Sequence, residues 1–313
     1  MIWREFKALG TDIVITVRLG AEQQNILVEA EKAVIDFETK FSRFIIGNEL
    51  FKLNNSSHEK QVVSKTMAEL LKEARHYYLE TKNIFDPTII GSLEAVGYDK
   101  KFDLINSGSD RKKPDLKKIK EIFLSRPKMD DLKIEGRTIR RPLGFKLDFG
   151  GIGKGYIIDF LSKKILSPFK DYWISAGGDL IVSGYQDNNS GWDIGVQDPL
   201  RSERDIFYIN NKGRKLGVAT SGTIKRTGKV GNFSWHHIID PRSGLPVIND
   251  VLSVTVISSS AVRADVFAKT VLILGEKEGL DFIENKNDSA CLIFIKHKKP
   301  IFSKRANIFL KKI

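Results

Sequence analysis

Phe145-Lys146-Leu147-Asp148-Phe149-Gly150-Gly151-Ile152-Gly153-Lys154-Gly155-Tyr156-Ile157-Ile158-Asp159 passes within a few residues from an alternating apolar run, through a glycine cluster, into a helical pattern. Alternation has a period of two and suits a strand, whereas the residues after Gly153 follow helical spacing. A strand-to-helix connection is expected here. Glycine lets the backbone approach a ligand closely and adopt positive φ without strain. A glycine turn that opens a helix also aims free N–H groups at an anion. Two readings follow. One is a phosphate or nucleotide cradle with Lys154 as its charge and Asp148 as an acceptor; the other is a tight connection that binds nothing. The glycines do not space as G-x-G-x-x-G, and Gly155 follows Lys154 where a Walker A loop has Ser or Thr.

Upstream, residues 2–18 alternate around Ile13 and Ile15 and predict a strand or hairpin turning at residues 8–12. Apolar positions in 21–41 and 66–82 recur at helical spacing, and 48–54 is a short turn or helix. Asp86-Pro87 favours a turn that can introduce a helix. The polar, charged stretch 100–118 is the candidate insertion or surface loop. A short helix near 115–124 and a hairpin around Glu135-Gly136 follow.

Downstream, the helix continues past Asp159 through Leu161 and Ile165, and strands are expected at 172–175, 180–182 and 192–196. Residues 207–210, turning at Asn211-Lys212-Gly213, are expected to pair with 216–220. A β-rich run at 251–258, a helix at 261–274 closed by Gly275, another helix and a final hairpin complete the chain. Strands and helices mix without βαβ alternation, which indicates an α+β fold with mixed or antiparallel sheets, read as one domain over 1–313.

The 313 residues are 41% hydrophobic and 29% charged, enough for a sizeable soluble core. One cysteine, Cys291, lies in an apolar run, which excludes a disulfide framework within the chain. No apolar run approaches the roughly 20 residues of a membrane span. The start of the chain shows no apolar signal core or lipidation cysteine, so a cytoplasmic location is the expectation. The net charge of +12 would suit nucleic acid, but the basic clusters are short and dispersed and carry few aromatics, so a solvated basic surface is the preferred reading.

Three further segments carry chemistry. Ala176-Gly177-Gly178-Asp179 again sets open backbone beside a carboxylate. His236 and His237 are adjacent; on a strand they face opposite ways, so one of them, not both, would serve a site as a base or phosphate contact. Zinc is not indicated, as neither a cysteine cluster nor HExxH spacing occurs. Asp265 near the start of a helix could supply an oxygen to Mg²⁺, but Lys269 stands at i+4, where an Asp–Lys helix pair is the commoner outcome.

Taken in order, these segments resemble the FAD:protein FMN transferase (ApbE) family. The carriers are Leu9-Gly10-Thr11, Ser42-Arg43-Phe44 with 48–54, Phe85-Asp86-Pro87-Thr88, 147–159, 175–179, Ala219-Thr220-Ser221-Gly222 with 236–246, and 253–275. The resemblance implies an ApbE-like, T-fold-related architecture. It also implies an enzyme that cleaves FAD, moves FMN to a Thr or Ser hydroxyl of a target protein and releases AMP with Mg²⁺. By similarity Phe44, Ala95, Val96, Gly97, Asp148, Lys154, Gly177, Gly178 and Ile239 would line the FAD site. His237 would act as base, with Lys154 and Asp265 also catalytic. The Gly151 carbonyl and Asp265 would hold the metal.

Departures from the family pattern are Leu9 for methionine, Thr223-Ile224-Lys225 after Ser221-Gly222, and Lys269 where a metal-ligating threonine is usual. A charged ammonium cannot ligate Mg²⁺. Two other readings remain open: a flavin-binding or FAD-hydrolysing relative without a protein acceptor, and a nucleic-acid-binding module driven by charge.

Overall fold

Leu9 and Gly10 both take positive φ, at 57° and 68°, and fold the strand Ile2–Ala8 back onto Thr11–Val17. Two residues in this conformation make the turn whose twist matches a right-handed ribbon. This computed structural model describes residues 1–20, 23–98, 115–187, 190–201, 203–225, 227–230 and 233–311. The ribbon forms one edge of an antiparallel sheet. From that edge the order is Ile2–Ala8, Thr11–Val17, Tyr172–Ala176, Asp179–Asp187, Gly213–Gly222, Val251–Ser258, Ala290–Ile295 and Ile301–Phe302. Ser190–Gly191 adds beside Asp179–Asp187.

Side chains alternate across this sheet. Leu180, Val182, Leu216, Val218 and Leu292 share one core with Trp192 and with Ile194 and Ile209 of a second ribbon, Asp193–Gln197 paired with Asp205–Asn210. The intervening Gly217 and Ala219 face the other way. There the helix Ala261–Leu274 packs on the strands Gly213–Gly222 and Val251–Ser258. Gly217 permits the approach: a Cβ on it would lie 2.3 Å from the Ser260 carbonyl carbon. With both faces covered, Val251–Ser258 is buried at every position except half-buried Leu252. That burial is why its sequence reads as an unbroken apolar and small-polar run.

The described chain divides into two compact units: Met1–Glu38, Ile152–Ile224 and Asp250–Ile313 form the first, Thr39–Gly151 and Lys225–Asn249 the second. The large sheet belongs to the first. The second holds the helices Glu49–Asn54, Lys65–Glu80, Ile90–Ala95 and Leu116–Ser125 and a small antiparallel sheet of Lys60–Val62, Thr138–Arg140 and Lys133–Glu135. Its helices begin as their sequences dictate. Asn48 Oδ1 accepts from Phe51 N–H at 2.7 Å, Ser64 Oγ from Met67 N–H at 3.1 Å, and Asp115 Oδ1 from Lys117 and Lys118 N–H at 3.1 Å. Asp115 thus starts the short helix expected near 115–124, at the end of the candidate insertion or loop 100–118, of which residues 100–114 lie outside the described residues.

Two expectations fail. Phe145, Leu147 and Phe149 are buried in alternation, but residues 145–149 form no strand. Asn54 supplies what a ladder would. Its Oδ1 accepts from Leu147 N–H and its Nδ2 donates to the Leu147 carbonyl, both at 2.8 Å, while Asp148 N–H donates to the Pro87 carbonyl at 2.8 Å. Nor does 207–210 pair with 216–220: Asp205–Asn210 joins Asp193–Gln197, and Gly213–Gly222 lies between Asp179–Asp187 and Val251–Ser258. The buried side chain of Asn211 directs this crossing. It accepts from Trp192 N–H at 2.6 Å and donates to the Gly184 and Arg214 carbonyls at 3.0 and 2.7 Å.

Candidate nucleotide-handling site

In the first unit the helix Gly153–Phe160 leaves the glycine cluster and packs against the helix Ala261–Leu274. Gly155 makes the contact possible. A Cβ there would lie 2.5 Å from Val262 Cα and 2.8 Å from the Ala261 carbonyl oxygen, which are backbone atoms with no room to yield. Asp159 fastens the same junction: its buried carboxylate accepts from Ala261 N–H at 2.9 Å and Val262 N–H at 3.3 Å. These are unpaired donors of the first turn of that helix. Burial pushes the Asp159 carboxyl above its ordinary range, against the pull of Lys163 and the two N–H groups.

Four charges meet beside this junction. Lys154 Nζ bonds Asp179 Oδ2, and Lys269 Nζ bonds Asp265 Oδ1 one turn along its own helix. The carboxylates are almost fully buried, at 3% and 1% side-chain exposure, and the lysines keep 21% and 17%. Asp179 Oδ1 also accepts from Thr220 N–H at 3.2 Å, and Asp265 Oδ2 lies 3.4 Å from Gly155 N–H. Burial raises the Asp265 carboxyl above its usual range; Lys269 opposes this most strongly, Asp179 adds to it and Lys154 opposes it. The two pairs are therefore one electrostatic unit, in which two positive and two negative charges balance.

Gly177 and Gly178 present Asp179. With φ of 60° and 96° they are the two-residue turn between Tyr172–Ala176 and Asp179–Asp187. Gly177 N–H donates to the Asp12 carbonyl at 3.1 Å, and a Cβ there would meet Thr11 Oγ1 at 2.3 Å. Gly178 faces open space.

In the second unit a different cluster forms around Arg43. Its guanidinium lies 4.4 Å from the Phe44 ring centroid and 4.8 Å from that of Tyr98, and Nη2 donates to the Tyr98 carbonyl at 2.7 Å. Its Nε is 3.8 Å from Asp148 Oδ1, which also accepts from Gly150 N–H at 3.0 Å. Tyr98 meets Phe44 edge-on at 6.2 Å and His237 at 6.3 Å. Phe44, Asp148 and His237 are thus brought together by Arg43 and Tyr98, to which the sequence reading gave no role in the site. The available signal was Arg43 inside the family segment Ser42-Arg43-Phe44, from which only Phe44 was taken as a site residue.

Ala95 ends the helix Ile90–Ala95, and Gly97, at φ 109°, turns the chain into Tyr98. Val96 and Ile239 share a buried apolar cluster with Leu93 and Ile119. Gly151 lies in the turn before Gly153. The adjacent histidines differ in their contacts. His236 Nε2 bonds the Val247 carbonyl at 2.9 Å, its Nδ1 accepts from Ile238 N–H at 3.3 Å, and burial lowers its basicity. Both His236 ring nitrogens are thus engaged within the chain.

The residues expected to hold Mg²⁺ do not fit a divalent ion. The Asp265 carboxylate already carries an ammonium on Oδ1, and a cation bound to either oxygen would sit beside that charge. Among the described residues no group of three His, Cys, Asp or Glu side chains converges. Thr270, next to Lys269, offers no substitute, since its buried hydroxyl donates to the Val266 carbonyl at 2.9 Å.

An antiparallel α+β scaffold gathers paired lysines and carboxylates beside glycine-bounded turns, an arrangement that could handle a phosphorylated ligand. Known proteins agree. The profile of the ApbE family matches residues 9–293, and the chain belongs to that family. The FAD:protein FMN transferase of Vibrio cholerae is 25% identical over 282 residues, covering 88% of this chain and 81% of that one. The protein of the same name from Haemophilus influenzae is 24% identical over 297 residues, covering 90% and 82%. For that of Rhodobacter capsulatus the figures are 28% over 220 residues, 69% and 40%. The ApbE protein of Thermotoga maritima superposes with a TM-score of 0.87 at 25% identity over 99% of each chain. The flavin transferase ApbE of Vibrio cholerae superposes with 0.83 at 22% over 98% of each. The expected α+β class and family are borne out. Among the described residues no helix is long and apolar enough to cross a membrane.

Proposed function

We propose that this chain is an FAD:protein FMN transferase that moves FMN from FAD to a threonine or serine hydroxyl of an acceptor protein. Membership of the ApbE family supports the reaction class. The observation that carries the reading is the charge cluster of Lys154, Asp179, Asp265 and Lys269, four residues drawn from three of the motif stretches. In the transfer the acceptor oxygen attacks the phosphorus bonded to riboflavin. The P–O bond to the second phosphate breaks, AMP leaves, and the hydroxyl proton passes to His237. Lys154 steadies phosphate oxygens and Asp179 holds Lys154 in place. Phe44, Asp148, Gly177, Gly178 and the segment Ala95, Val96 and Gly97 with Ile239 contact FAD. Such chemistry needs chiefly positioning and charge stabilisation.

The test incubates the chain with FAD and a threonine-containing acceptor, then reads flavin fluorescence on a denaturing gel and AMP release by chromatography. Labelled acceptor and one AMP per label are expected. His237→Ala should lower transfer by about 100-fold or more with FAD still bound, the range for loss of a general base. AMP and free FMN with no labelled acceptor would instead identify an FAD pyrophosphatase.

A further inference from the structure

We infer that Lys269 supplies, as a built-in cation, the positive charge that a divalent metal would bring to the FAD diphosphate, so that this chain binds FAD without Mg²⁺. The proposal rests on the FMN-transfer reading for its ligand. Its structural part stands separately.

Lys269 is fixed by its position. It lies four residues after Asp265 on the helix Ala261–Leu274, and i, i+4 side chains share a face. That helix is buried along most of its length, so neither residue can shift register. The result is an ammonium bonded to Oδ1 of the carboxylate a metal would need, on an aspartate with 1% side-chain exposure whose Oδ2 lies 3.4 Å from Gly155 N–H. A metal ion there would have to displace the ammonium and then coexist with it at contact distance, where like charges repel strongly. The adjacent Thr270 cannot restore a ligand, because its hydroxyl is committed to the Val266 carbonyl inside the core.

The charges also balance for the ligand. As built, Lys154 and Lys269 are offset by Asp179 and Asp265. Each ammonium has three N–H donors, so one can stay on its aspartate while the others turn to phosphate oxygens. Asp265 then acts as a positioning residue for Lys269, as Asp179 does for Lys154. Lys269 keeps its proton throughout, and the transferred hydroxyl proton still goes to His237.

The experiment uses the full chain with two probes, FAD and Mn²⁺. FAD affinity is measured by flavin fluorescence in EDTA and in excess Mg²⁺. Wild type and Lys269→Arg, which keeps the charge, are expected to bind equally in both buffers, within about twofold. Lys269→Thr should bind about tenfold or more weakly in EDTA and recover in Mg²⁺, the scale of one lost charged contact. Mn²⁺ binding is read by water proton relaxation. Wild type should show no specific site, and Lys269→Thr should gain about one that Asp265→Asn removes again. The proposal is overturned if wild-type FAD affinity collapses in EDTA and returns with Mg²⁺, or if wild type binds Mn²⁺ through Asp265. If wild type binds no FAD in either buffer, the flavin reading fails, while the Mn²⁺ measurement still decides whether Lys269 fills a cation site. Should Lys269→Thr misfold, the comparison of wild type with Lys269→Arg in EDTA carries the decision.

Discussion

Asp159 shows how a single residue of a ligand-like motif can serve the scaffold. It closes the glycine stretch, yet both of its oxygens go to backbone N–H groups of Ala261 and Val262. Its carboxyl is raised by burial. An acid with a raised folded pKa holds its proton more tightly when folded than when unfolded. Its contribution to stability is therefore greatest below the unfolded pKa and declines as pH rises through the interval up to the folded value. Wild type should accordingly have its largest stability advantage over Asp159→Asn at acid pH, shrinking as the pH rises out of the ordinary aspartate range. Urea melts of both proteins at stepped pH measure this. A difference that grows with pH would mean that Lys163 and the two N–H donors outweigh burial.

At the scale of elements, the junction between Gly153–Phe160 and Ala261–Leu274 sets the site, and Gly155 sets the junction. Gly155→Ala places a methyl 2.5 Å from Val262 Cα. Overpacking of this kind costs about 1–3 kcal/mol. The same helix shift displaces Lys154 relative to Asp265. The expected outcome is a lower urea midpoint together with weaker FAD binding, whereas Gly178→Ala meets no neighbouring atom and carries only the backbone strain of its φ of 96°.

Asn211→Ala tests the other decisive connection. It leaves Trp192 N–H and two carbonyls without their partner, a loss on the order of 3 kcal/mol for buried groups. Equilibrium unfolding reads it. This residue also explains a limit of the sequence. The sequence located a strand at 207–210, within the observed Asp205–Asn210, but the partner of that strand is fixed by Asn211, outside that run, and by contacts to Trp192 and Gly184 that no local pattern encodes. Residues 145–149 teach a related lesson, because alternation reported burial correctly while the ladder it implied was replaced by the side chain of Asn54. At the site, Asp265 and Lys269 were legible because a helix brings i and i+4 together. Arg43 and Tyr98, 55 residues apart, were not.

On the scale of the whole molecule, Cys291 reports on the large sheet. Its strand Ala290–Ile295 lies between Val251–Ser258 and Ile301–Phe302, and its own N–H and carbonyl both bond Ser303, at 2.9 and 3.0 Å. Burial pushes the thiol up to about 12. At neutral pH almost no thiolate is present, and the thiolate is the reactive form. Modification of the native protein by a thiol reagent thus requires the strand to open. Opening has two possible routes. Ile301–Phe302 is a two-residue edge, cheap to detach, whereas exposing the other flank means parting Val251–Ser258 from its neighbours and so dismantling the core on both faces. Detaching the short edge alone leaves the side chain covered by the core it points into, because Leu292 and Phe294 on one face and Ile293 on the other stay packed. Labelling of Cys291 should therefore be negligible at low urea and rise with the midpoint of the tryptophan fluorescence transition. Labelling well below that midpoint, with fluorescence unchanged, would show instead that detachment of the edge is enough to uncover the thiol.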